Sequence, residues 1–142
     1  MSGLTAVRER DTSVTTAVLE QTIKAPLGAF TDDVTDEQGR INIKHLAHSL
    51  DLRMTTIAPA LGLKPRVLND NPTGKSFQSK AIILLDMANE LASLLGGKKY
   101  VVLYLKTPQP DFDGETPADQ LKKGRLQFMR SYVNDAITMK PD

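Results

Sequence analysis

The chain has no cysteine, no tryptophan and only two histidines, and aromatic residues make up 5% of its 142 positions. Without cysteine it can form no disulfide, hold no metal through thiolates and use no thiol nucleophile. No apolar run approaches the roughly 18 residues that would span a bilayer, and residues 1–24 lack the apolar block of a signal peptide. A glycine-rich phosphate loop is missing too, and no serine or threonine stands beside a base in a recognisable motif, so the chain is not expected to be an enzyme. His45 and His48 lie one helical turn apart, but nothing nearby suggests a third ligand, and neither a metal nor a cofactor is expected. An excess of one charge is also lacking, with 18 Lys and Arg against 17 Asp and Glu. Any nucleic-acid contact must therefore come from a local patch. The length suits one buried core, and the expectation is a soluble, cytoplasmic protein.

What is present is helical periodicity. Residues 1–11 are polar without a period and read as an arm. Ser13 can cap a helix over residues 13–24 that carries Val14, Ala17, Val18 and Gln21 and stops before Pro26. Leu27, Phe30 and Val34 prolong an apolar face, residues 31–39 read as a turn-rich connection, and the whole of 1–40 is expected to be a solvated arm with one packed helix. Asn42 then caps a helix with Ile43, Leu46, Ala47 and Leu50 on one face, and Ile41 with Leu46 forms a hydrophobic staple. Residues 55–61 and 65–70, joined by Gly62-Leu63-Lys64, have the spacing of a helix-turn-helix, with Pro65 at the first position of the second helix. Lys64, Arg66, Asn69 and Lys75 are its candidate DNA contacts. Against that use, Pro59 would kink the first helix if it began at Met54, and the second helix is short and carries Asp70.

Ser76 is placed to cap the longest helix. Phe77, Ala81, Leu84, Ala88, Leu91 and Leu95 follow at steps of four and three, and Ile82, Ile83, Leu85 and Met87 widen the apolar surface past one stripe. Such a helix belongs at the centre of the fold. Gly96-Gly97 ends it. Residues 98–105 read equally as a buried strand or a helix on propensity. A loop with Pro108, Pro110 and Gly114 comes next, and its prolines leave it few shapes. Thr116 then caps a helix with Pro117 at its first position and Asp119 at its third, anchored by Leu121. A last helix from Arg125 carries Leu126, Met129, Val133 and Ile137, with Phe128 and Tyr132 beside them. The aromatic residues Tyr100, Tyr104, Phe112, Phe128 and Tyr132 have two readings: they fill the core of this half, as expected of Tyr104 and Phe128, or some of them emerge at a protein interface. The acidic series Asp111, Asp113, Glu115 and Asp119 is not a calcium loop, which needs glycine at its sixth and glutamate at its twelfth position, where this chain has Gly114 fourth and Lys122 twelfth.

The run Tyr104-Leu105-Lys106-Thr107-Pro108-Gln109-Pro110, then Phe112-Asp113-Gly114, then Thr116-Pro117 and Leu121 resembles the toxin-binding region of the Xre/MbcA/ParS antitoxin family. That family has a tryptophan, a leucine and a basic residue before Thr-Pro-Asn-Pro, then a glycine and a Thr-Pro that opens a helix. Tyr104 stands in place of the tryptophan, Lys106 of the usual arginine and Gln109 of the usual asparagine. The resemblance covers roughly residues 41–136, weakly up to 79 and better beyond.

The resemblance implies a helix over residues 98–105, and with it an all-α fold, a small bundle with a helix-turn-helix-like half over residues 41–75 and a C-terminal toxin-binding module over residues 76–142. It implies an antitoxin that neutralises a cognate toxin, commonly a RES-domain enzyme that consumes NAD; the antitoxin itself is then expected to form a homodimer and to repress its own operon by binding operator DNA. Lys98, Lys99, Tyr104, Lys106, Thr107, Pro108, Pro110, Phe112, Gly114, Thr116 and Pro117 are the residues expected to meet the toxin. The other readings are a DNA-binding regulator without a toxin and a helical adaptor for another partner.

Overall fold

A helix that is apolar on more than one side has to be enclosed, and the computed structural model, which describes residues 26–138, is arranged around one such helix. In chain order the helices are α1 (Thr31–Val34), α2 (Ile43–Leu50), α3 (Met54–Leu61), α4 (Pro65–Asp70), α5 (Gln78–Leu95), α6 (Lys98–Leu105), α7 (Pro117–Lys122) and α8 (Leu126–Thr138), with 3-10 turns at Lys75–Phe77 and Pro110–Phe112. Among the described residues there is no strand, only a single antiparallel bridge between Thr35 and Ile41. The fold is all-α, as expected. α5 buries Ala81, Leu84, Leu85, Met87, Ala88, Leu91 and Ala92, and α3, α6 and α8 pack around it. Its outer end differs from the sequence pattern, because Leu95 is 36% exposed.

The first half follows its capping signals. The Asn42 side chain accepts from the backbone N–H groups of Lys44 and His45, at 3.0 and 3.1 Å, and opens α2. Ile41 and Leu46, the staple pair, are fully buried. α3 does begin at Met54, so Pro59 lies inside it, and the carbonyl of Thr55 loses its donor one turn on. Thr55 is exposed, where water can serve that carbonyl. Gly62 ends α3 in the left-handed region, at φ 74°, and Pro65 begins α4. α3 packs chiefly on α7 and α4, and one continuous core runs from Phe30 to Val133.

Two expectations about this half are corrected. The residues after Pro26 are not a solvated arm: Phe30 and Val34 are fully buried and the supposed connection contains α1, while of the three residues expected to prolong the apolar face Leu27 points outward, at 93% exposure. The helix expected over residues 13–24 lies outside the described residues. Ser76, in turn, caps nothing. A 3-10 turn occupies that position and α5 starts at Gln78, whose side chain accepts from Ile41 N–H at 2.8 Å and donates to the carbonyls of Ile41 and Gly74 at 3.0 and 3.2 Å. Those bonds tie the start of the central helix to the entry of α2.

Asn89 is what holds the strap of residues 26–31 against α5. Its side-chain oxygen accepts from Phe30 N–H at 2.9 Å, and its amide nitrogen donates to Thr31 Oγ1 at 3.1 Å and to the Pro26 carbonyl at 3.3 Å. Gly28 must be small here, since a Cβ on it would come within 2.3 Å of Asn89 Cγ. Beside Asn89 on α5, Asp86 and Glu90 are reached by Arg130 of α8, at 2.7 Å and at 2.8 and 3.0 Å. Burial alone would lower the Arg130 pKa, but pairing with Glu90 and Asp86 outweighs it and raises the group above its ordinary value.

The start of α7 is a capping box. Thr116 Oγ1 accepts from Asp119 N–H at 3.0 Å, and the Asp119 carboxylate accepts from Thr116 N–H at 2.9 Å. That backbone bond holds the Asp119 pKa below the usual carboxylate value. A depressed folded-state pKa means that the ionised group stabilises the fold above its unfolded value and stops doing so as pH falls through the folded one. Asp119→Asn is therefore expected to be less stable than the wild type at pH 7, with the gap closing as pH drops below about 4. Urea titrations of both proteins across pH 2–7 would show it. A second expectation concerns the strap: Asn89→Ala leaves the buried Phe30 N–H without an acceptor and should lower the unfolding free energy by about 2 kcal/mol. Urea denaturation of that variant beside the wild type measures the loss.

Candidate partner-binding site

α6 is short, and its apolar residues divide between two directions. Val101 and Leu105, one turn apart, are buried against the core, each contributing about 1.5–3 kcal/mol. Tyr100 and Leu103 face outward and remain 44% and 63% exposed. With Leu95 from the end of α5, and with Tyr104, Thr107 and Gln109, they line a shallow depression of about 250 Å³. The glycines before α6 make this possible: Gly96, at φ 97°, ends α5 in the left-handed region and turns the chain so that α6 packs back on it. Burial pushes the Tyr104 hydroxyl up to about 12, so it stays protonated at neutral pH.

The loop after α6 closes on itself. Gln109 N–H bonds the Glu115 carbonyl at 2.9 Å, and Gly114 N–H bonds the Gln109 carbonyl at 3.0 Å. Inside that closure the chain makes the 3-10 turn Pro110–Phe112 and then passes through two left-handed residues, Asp113 at φ 56° and Gly114 at φ 86°. Thr107, Pro108 and Pro110 are left exposed along its outer edge. Phe112 points the other way, 6% exposed, with its ring edge-on to Tyr132 at 4.9 Å and to Phe128 at 5.7 Å. Phe128 was expected in the core but is 46% exposed, so it flanks the loop's anchor and does not fill the bundle.

The residues expected to meet a toxin fall into three groups. Tyr104, Thr107, Pro108, Pro110 and Gly114 lie at the depression or on the loop's outer surface. Phe112 and Pro117 are buried, and Thr116 is committed to the capping box, so these three hold the loop's shape from within. The lysines are drawn to acids from the first half of the chain: Lys98 pairs with Asp33 at 2.6 Å, and Lys106 with Asp51, whose pKa is lowered by that hydrogen bond. Lys99 lies 5.1 Å over the Tyr100 ring. Leu95, Tyr100, Leu103 and Gln109 were missed as site residues. Once residues 98–105 are a helix, the spacing Tyr100, Leu103, Thr107 marks an outward face that Val101 and Leu105 do not share.

Of the candidate DNA contacts, Lys64 precedes α4 without capping it through its side chain, Arg66 and Asn69 are exposed on α4, and Lys75 is exposed in the 3-10 turn. A larger depression, about 540 Å³, lies between the strap and α5, but its amide and carboxylate side chains are already engaged, Asn89 with the strap and Asp86 and Glu90 with Arg130. Among the described residues no three His, Cys, Asp or Glu side chains converge on a point that could hold a metal, and no helix is long and apolar enough to cross a membrane.

No protein-family profile matches the chain, and no curated protein matches it. Among solved structures it is similar to a chain of the MbcT–MbcA toxin–antitoxin complex of M. tuberculosis, over 68% of this chain and 89% of that one, with a TM-score of 0.46 and 18% identity. At that score and identity the other protein's partner does not transfer to this chain.

Proposed function

We propose that this protein is an antitoxin, a non-enzymatic helical protein that binds a cognate toxin through the outer face of α6 and the loop that follows it. The observation that carries this reading is the continuity of the two: an apolar strip of Leu95, Tyr100 and Leu103 runs into a closed, proline-stiffened loop. Apolar side chains exposed together, and tyrosines with one apolar and one polar end, suit a protein interface. A loop held in one shape loses little entropy on binding. The order of residues 104–121, with its resemblance to the Xre/MbcA/ParS toxin-binding region, supports the same surface.

Neutralisation on this reading is steric. The Pro108–Pro110 edge enters or covers the toxin's substrate cleft, and Leu103 and Tyr100 anchor the complex beside it. The resemblance favours a RES-domain, NAD-consuming toxin, and it brings with it a homodimer that represses its own operon. Operator binding has less support in the geometry, because α4 has six residues and few donors, and the Asp70 carboxylate beside them would repel phosphate.

Co-expression with the protein encoded by the adjacent reading frame tests the proposal. The two should co-purify, and this chain should relieve growth inhibition by the other; failure of both sinks the antitoxin reading. Leu103→Glu is expected to weaken the complex about 30-fold, roughly 2 kcal/mol, as for a central interface residue. Since Leu103 is 63% exposed, its thermal midpoint should match that of the wild type. Calorimetric titration and a thermal melt give the two values.

A further inference from the structure

The hydrogen bonds that close the loop on itself leave open how it is aimed. Phe112 N–H to the Gln109 carbonyl, at 3.0 Å, and Glu115 N–H to the Phe112 carbonyl, at 3.0 Å, are internal to the loop and reach no other element, so they set its closure and not its direction, and they open more often when the loop is not held against the bundle. Its aim has to come from side chains that reach into the bundle, and there are two such tethers. At the Glu115 end, buried Gln120 of α7 donates to Glu115 Oε1 at 2.9 Å and accepts from Arg125 at 3.1 Å, while Lys123 pairs with the same carboxylate. At the proline end, the Tyr132 hydroxyl of α8 donates to Asp111 Oδ2 at 2.7 Å, and the Tyr132 ring stands edge-on to Phe112. Tyr132 is itself well fixed, because Met129 and Val133 on the same helix are buried.

We propose that Tyr132 is a positioning residue for the partner-binding surface: through Asp111 and Phe112 it sets the orientation of the Pro108–Pro110 edge relative to α6. The proposal rests on the antitoxin reading for what the edge meets, though its mechanical part does not. Its hydroxyl and its ring act on adjacent loop residues, so one side chain controls both the exposed turn and the buried anchor. The Asp111 hydrogen bond, first, and burial, second, raise the Tyr132 pKa, which keeps the hydroxyl protonated and donating at neutral pH.

Tyr132→Phe removes the hydroxyl and keeps the ring, and amide hydrogen exchange reads the result without any partner. The amides of Phe112, Asp113, Gly114 and Glu115, all hydrogen-bonded within the loop, should exchange about fivefold faster in the variant, while those of α5 are unchanged. Asp111→Ala should reproduce the effect, and the double variant should add nothing further. The adjacent-frame protein should leave the variant faster than it leaves the wild type, at an unchanged thermal midpoint. Unchanged loop exchange, or an equal rise in α5, would overturn the proposal, as would faster loop exchange with the same dissociation rate. If the wild type binds no toxin, the antitoxin reading falls, and the exchange experiment still decides whether Tyr132 holds the loop.

Discussion

Helix α5 has to bury apolar surface on more than one side, and the placing of the other elements answers to that need. Each of Leu84, Leu85 and Leu91 contributes about 1.5–3 kcal/mol on burial, so leaving one side open would cost a large share of the stability of a domain this size. α3, α6 and α8 cover it, and the strap of residues 26–31 is pinned to it by Asn89. The polar ties to α5 mark where neighbours are fixed in register: Gln78 at its start, Asn89 along its length, and Asp86 with Glu90 facing Arg130. Apolar contact supplies the attraction and these few bonds select one arrangement.

α6 is where that arrangement turns outward. Eight residues carry two apolar directions, and the core needs only one of them. Val101 and Leu105 satisfy it, which leaves Tyr100 and Leu103 exposed. The loop that follows is built in the same spirit. Its buried ring, Phe112, lets its outer edge be held firmly while remaining bare.

Most of the helices were legible because their determinants are local. Asn42, Gly96, Thr116 and Pro117 act within one turn of themselves, and the apolar steps of α5 and α8 need no knowledge of neighbours. What escaped depends on distant residues. Ser76 looks like a cap, but the entry of α2 competes for the same region through Gln78, 37 positions from Ile41. The strap after Pro26 continues an apolar face in sequence, but that it packs on α5 depends on Asn89 and Gly28, which no local pattern reveals. Residues 98–105 were ambiguous between strand and helix for a related reason: both faces are apolar, and only the packed fold shows which of them is buried. Phe128 reads as core because large aromatics usually are; that Phe112 comes from the loop to pack beside it is a tertiary fact.

The lysines at the two ends of α6 bear on how the surface would behave in solution. Lys98 and Lys106 already hold Asp33 and Asp51 in exposed pairs, which solvent screens and which add little to stability. A carboxylate arriving from another molecule can recruit them only by displacing those acids, one ion pair exchanged for another. Counter-ions at physiological strength screen over about 8 Å and weaken both sides of that exchange alike. Attachment through this face is then governed by contact area, and it should be nearly indifferent to ionic strength, unlike a phosphate-reading surface, whose affinity collapses as salt is added.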